Sequence, residues 1–189
     1  MTVLFKDKAE VQELLKRADD KELTKVLTSK FEKLKENRNP FYLNLEELKD
    51  ILKWKLRGQY GRQQKKREIN NDLNVIVITK AAFAVSHSDK EIETTLRLKI
   101  LSSLTGVEIP VASAILTLCY PSLYSVIDFR NWRQIYKTEK QKTTYSTKEY
   151  IDYLKIIKQW AKEFDVTPQE IDIAIWQKDI ELNNDFKLD

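Results

Sequence analysis

Three glycines and four prolines are all that punctuate a chain of 189 residues, and this scarcity limits the folds open to it more than any other feature. Sandwiches and α/β folds spend glycine on their turns, whereas helix interiors exclude it. Abundant Lys, Glu, Leu and Ile point the same way. Four capping boxes mark helix starts: Asn44 with Glu47, Ser88 with Glu91, Ser146 with Glu149, and Thr167 with Glu170, the last followed by Pro168 at the first helical position. Each precedes apolar residues at helical spacing, such as Leu45, Leu48, Leu52 and Leu56, or Ile92, Leu96, Ile100 and Leu104, or Ile171, Ile175 and Trp176. The pattern predicts helices near 7–18, 20–37, 44–57, 71–86, 89–104, 109–119, 128–137, 147–164 and 167–181. The expectation is therefore an all-α bundle of about nine helices in a single domain over residues 1–189. The polar run KTEKQKTTYST, from Lys137 to Thr147, reads as a solvated connector.

Composition also excludes several kinds of chemistry. One Cys and one His cannot build a His/Cys zinc cage, a cysteine-ligated iron–sulfur cluster or a disulfide framework, so no metal and no cofactor are expected. The opening MTVLFKDKAEVQ lacks the basic-then-apolar pattern of a secretory signal, and no apolar run approaches the length of a bilayer span. A soluble protein in the reducing cytoplasm, with no membrane partner, is expected. His87, in VSHSD, reads as an exposed loop residue. Cys119, in TLCYP, reads as a buried small hydrophobe. Trp132, Trp160 and Trp176 have aliphatic neighbours at helical spacing and read as core anchors.

The formal charge is only +4, but it is unevenly spread. The segment KWKLRGQYGRQQKKR holds seven cations and no acidic residue: Lys53, Lys55, Arg57, Arg62, Lys65, Lys66 and Arg67. With those seven removed, the rest of the chain carries −3. Gly58 and Gly61 interrupt the helix there, and Trp54 and Tyr60 lie among the cations. Cations displace counterions from phosphate, glycine admits a backbone closely, and aromatic faces stack on unpaired bases, so the segment suits a nucleic acid. Trp54 itself, following Leu48, Ile51 and Leu52, reads as part of a core.

The stretch LTGVEIPVASAILTLCYPSLYSVIDFR, Leu104 to Arg130, joins one amphipathic helix to another through Gly106, and Pro110 falls in the first turn of the second. Ala112, Ser113 and Ala114 would let that second helix pack closely on a neighbour. Its exposed amides suit an anion. Pro121 ends the helix, YSVID approaches as extended chain, and Asp128 arrives just before the new helical turn FRNWRQIY. An aspartate there is a natural N-cap for the amides of Arg130 or Asn131. Arg130 and Arg133, one turn apart, could pair with Asp128 or reach a phosphate.

This stretch resembles the hairpin of the helix-hairpin-helix DNA glycosylase superfamily, the relatives of endonuclease III and adenine glycosylase. The resemblance rests on Gly106, Val107 and Ala112 in the hairpin and on Asp128 at the family's spacing of the catalytic aspartate. It extends through Ile51, Trp54, Lys55 and Arg57 upstream, Gly106 to Leu116, Val126 to Arg130, and Asp172 to Trp176. It thus covers about residues 50–177 and implies a helix-hairpin-helix core over 46–181 in a two-lobed molecule, with residues 1–45 outside the match. It implies DNA as partner, the cations above with Gly106, Arg130 and Arg133 as nucleic-acid contacts, and Asp128 as the carboxylate that steadies an oxocarbenium-like sugar or activates a water beside a flipped base. The position of the family's lyase lysine holds Pro110, so no imine chemistry is available there and the implied activity is monofunctional base excision repair. Glu108 replaces the hairpin's second glycine and sets a carboxylate beside the amides. The four-cysteine loop of some relatives is absent. Two other readings stay open: a nucleic-acid-binding module without chemistry, and a protein-interaction component of a defence or plasmid system.

Overall fold

A computed structural model describes residues 4–18, 21–138 and 141–183. Among the described residues there are ten α-helices, one 3-10 helix and no strand. In chain order the helices are α1 (Lys8–Arg17), α2 (Lys21–Asn37), α3 (Leu45–Leu56), α4 (Gln64–Arg67), α5 (Asp72–Ala84), α6 (Lys90–Leu101), α7 (Ile109–Cys119), α8 (Phe129–Tyr136), α9 (Thr147–Phe164) and α10 (Pro168–Asn183), with the 3-10 helix over Arg57–Gln63.

The caps explain most helix starts. Asn44 and Glu47 exchange side-chain and backbone hydrogen bonds at the head of α3, as do Ser146 and Glu149 at α9. Thr167 and Glu170 do the same ahead of α10. The start of α6 differs from the expected Ser88 and Glu91 pair. Asp89 caps it instead, its Oδ1 accepting from the amides of Glu91 and Ile92. A carboxylate directly before the first turn satisfies two orphan donors and also complements the positive helix end.

The centre of the molecule is α7. Every residue from Val111 to Cys119 is buried, as expected of a helix that is apolar all round. Ala112, Ser113 and Ala114 are fully enclosed and α7 packs against α2, α3 and α6. Ser113 also donates to the carbonyl of Pro110 and accepts from the amide of Ile127, which ties the extended chain before α8 to α7. A second layer forms around α10, which packs on α1, α8 and α9. The N-terminal helices belong to the same body, since α1 packs on α10 and α2 on α7.

Two departures from helical regularity shape the surface. Helix α3 stops at Leu56 because Arg57 turns left-handed (φ 45°), and the chain continues as the 3-10 helix and α4. The basic segment is thus a bent strap over the bundle. The connector after α8 holds Tyr145, which is buried beside the ring of Trp132 and donates to the carbonyl of Lys142. The expected solvated run therefore contains a packed tyrosine; its residues 139 and 140 lie outside the described residues. Among the described residues no helix is long and apolar enough to cross a membrane.

Candidate functional site

Asp128 is held by its own helix and is half-buried at the edge of a pocket. As N-cap of α8 it accepts with Oδ1 from the amides of Arg130 and Asn131, both at 3.0 Å. Its Oδ2 accepts from Lys55 Nζ at 3.3 Å. One oxygen does the capping and the other is turned to a small pocket. Helix capping and the Lys55 contact are thus divided between two atoms of one carboxylate.

That pocket is lined by Thr24 of α2, Trp54 and Lys55 of α3, Arg57, Val126, Asp128, and Asp172, Ile173 and Trp176 of α10. Its volume is about 70 Å³, enough for a few waters and far below the 300 Å³ or so of a typical ligand site. Trp54 forms one wall, its Nε1 donating to Thr24 Oγ1 at 3.1 Å. Trp176 forms another, with the Arg57 guanidinium 4.6 Å from its ring centre. Burial pulls the Arg57 guanidinium below its ordinary value; the negative charge of Asp128 opposes this and the positive charge of Arg130 adds to it.

Deep in the same pocket lies Asp172, 7% exposed. Its Oδ2 accepts from the amide of Val126 at 3.0 Å, and its Oδ1 accepts from Asn131 Nδ2. Burial, and after it the negative charge of Asp128, push the Asp172 carboxyl up to about 8. Lys55, the Val126 amide and Asn131 act in the opposite direction. A carboxyl of this kind holds its proton at neutral pH.

The predicted site residues divide into three groups. Lys55 and Arg57 meet Asp128 in the pocket. Lys53, Arg62, Lys65 and Lys66 are exposed along the strap. Four others are engaged inside the protein. Arg67 is 8% exposed, lies against the Tyr60 ring and donates to the Tyr60 carbonyl. Gly106, at φ +77°, is turned towards Arg67, and a Cβ there would come 2.7 Å from Arg67 Cγ. Neighbouring Asn70 completes the cover, donating to the Thr105 carbonyl and accepting from its amide. Arg130 and Arg133 both pair with Asp179 rather than with the Asp128 carboxylate, Arg130 Nη1 at 3.1 Å and Arg133 Nε at 2.5 Å. Asp179 is fully buried and also accepts from Gln134 Nε2.

Sequence reasoning did not name Asp172 or Trp176 as site residues, although their four-residue separation was a usable signal. On a helix it sets both on one face, with Ile173 beside them. Cys119 is enclosed, and burial pushes its thiol up, which removes it as a nucleophile. His87 is exposed, and its Nδ1 accepts from the amide of Asp89. Among the described residues no cluster of His, Cys, Asp or Glu could hold a metal ion. No protein-family model, no curated protein and no solved structure matches the chain.

Proposed function

We propose that this protein binds DNA along the exposed part of the Lys53–Arg67 strap and removes a base through Asp128, as a monofunctional enzyme of the helix-hairpin-helix glycosylase kind. The observation that supports this most is one juxtaposition: Asp128 and Lys55, 73 residues apart in the chain, meet in a pocket that Arg57 also lines. A strap of cations leading to a pocket that holds a carboxylate suits a polyanion whose sugar must develop positive charge.

In this reading Lys53, Arg62, Lys65 and Lys66 take phosphates and fix the register of the duplex. The target nucleotide leaves the stack, and its deoxyribose comes to rest against Asp128 Oδ2. As the bond between base and sugar breaks, the bond electrons leave with the base, and Asp128 steadies the positive charge on the sugar. A water then adds to the sugar carbon, and the proton it loses passes to the departed base, which had left with the bond electrons and is thereby neutralised. The small pocket must widen to admit a nucleotide, and the Arg57 guanidinium over Trp176 is the group at hand to move. Its departure would bare an aromatic face for the base.

Oligonucleotides carrying damaged or mismatched bases test the reading, with base release measured for the wild type and Asp128→Asn. Release that depends on Asp128 is the expected result; release unchanged in Asp128→Asn would sink the assignment. A second reading, nucleic-acid binding without chemistry, is favoured by the covered hairpin turn and the narrow pocket. It predicts salt-dependent binding in wild type and Asp128→Asn alike, with no base released from any substrate. A flat salt titration with every nucleic acid would remove both readings.

A further inference from the structure

Asp172 approaches Asp128 from another helix and grips the chain on both sides of it. Val126, whose amide donates to Asp172, lies two residues before Asp128. Asn131, whose side chain donates to Asp172, lies three residues after it, and the Asn131 amide in turn donates to Asp128 Oδ1. We propose that Asp172 is a positioning residue for Asp128, holding the turn that presents it and sharing its pocket as the proton-bearing member of a carboxyl pair.

The charges around the pair support this division. Facing Asp172 are Asp128 from the turn before α8, Lys55 from α3, Arg57 from the strap, the neutral amide of Asn131 from α8, and the buried phenols of Tyr150 and Tyr153 from α9. Both phenols are held well above their ordinary value, by burial first, so neither carries charge at neutral pH. Lys55 is the ammonium in contact with Asp128. Asp172 is the more enclosed of the two carboxyls, and its burial beside Asp128 favours its protonated form. The upward push on Asp172 to about 8 agrees.

This arrangement sets a pH limit. Below about 8 Asp172 holds its proton, beside the negative charge of Asp128 that helps to push it up. Above that, a second charge forms beside the first, competes for Lys55 and strains the turn that aims Asp128. The structural claim stands on the pair alone; its effect on base removal rests on the function proposed above.

Two measurements separate these claims. In the full chain, carbon-13 titration of the carboxyl groups reads the pair directly, in wild type and in Asp128→Asn, where asparagine keeps the N-cap. Asp172 is expected to titrate near 8 in the wild type and about one pH unit lower in Asp128→Asn. Titration in the ordinary carboxylate range, or a value indifferent to Asp128→Asn, overturns the proposal. The second measurement is the pH profile of single-turnover base release for wild type and Asp172→Asn, a variant that keeps an acceptor for the Val126 amide. Loss of the alkaline limb in Asp172→Asn is expected, and an unchanged limb overturns the proposal. If the wild type releases no base at all, the function proposed above fails while the titration still decides the pair.

Discussion

The hairpin turn between α6 and α7 and the turn before α8 both deliver the chain to a helix start, yet their polar groups face opposite ways. At the hairpin, the turn is occupied by its own protein: Arg67 lies on Gly106, and Asn70 takes both the amide and the carbonyl of Thr105. Glu108, the N-cap of α7, makes no capping bond with its side chain and is exposed. At α8 the N-cap does the reverse. Asp128 Oδ1 satisfies two helix amides while Oδ2 remains turned to a pocket containing Lys55 and Arg57. The lesson is that a motif's residues face a ligand only when their neighbours leave a polar atom turned to a pocket, as Asp128 Oδ2 is beside Lys55. One turn is braced by Arg67 and Asn70, and the other lines a pocket.

The pocket side breaks most clearly at its carboxylate. Asp128→Asn should lower base release about 10²- to 10⁴-fold, the range for removal of an acid–base group, with the melting temperature kept because asparagine caps a helix as well as aspartate does. Next comes the support beneath it. Asp179→Ala removes the acceptor shared by Arg130, Arg133 and Gln134, so urea unfolding should show a loss of about 3–5 kcal/mol. If stability is unchanged, α8 is held by other means. At the braced turn, Gly106→Ala forces a left-handed alanine against Arg67 Cγ, costing about 1–3 kcal/mol by the same measurement. Nucleic-acid affinity should fall no further than this stability loss accounts for, because the turn is already covered. A specific loss of binding by a folded Gly106→Ala protein would show that the turn opens to a phosphate after all. The smallest effect is expected at the strap. There Lys65→Glu with Lys66→Glu should flatten the salt dependence of DNA binding by about one unit of slope for each phosphate no longer neutralised, and leave stability nearly unchanged.

How much of this was legible in the chain differs between fold and site. The all-α architecture, most helix spans and three of the four capping boxes follow from residues close together in sequence, because a cap and its amphipathic face are settled within a few turns. Even the end of α3 near Gly58 could be read, although the positive φ falls on Arg57 itself. Local signals went astray where two neighbours competed for one task. Ser88 and Asp89 could each cap α6, and the carboxylate, sitting one residue nearer the helix, took both amides.

The site is another matter, because its electrostatics depend on separation in space. Local sequence was enough to stand a carboxylate at the head of a helix, to interrupt α3 with a strap of cations, and to fill the centre with an apolar helix. Which cations meet that carboxylate was settled by packing alone. Lys55 and Arg57 reached its pocket, while Arg67 was spent on Gly106, and Arg130 and Arg133 on Asp179. Packing also brought Asp172 across from α10, 44 residues further along the chain, to enclose a second carboxyl beside the first. A group's charge is set by what surrounds it, and what surrounds Asp128 and Asp172 comes from five separate parts of the chain.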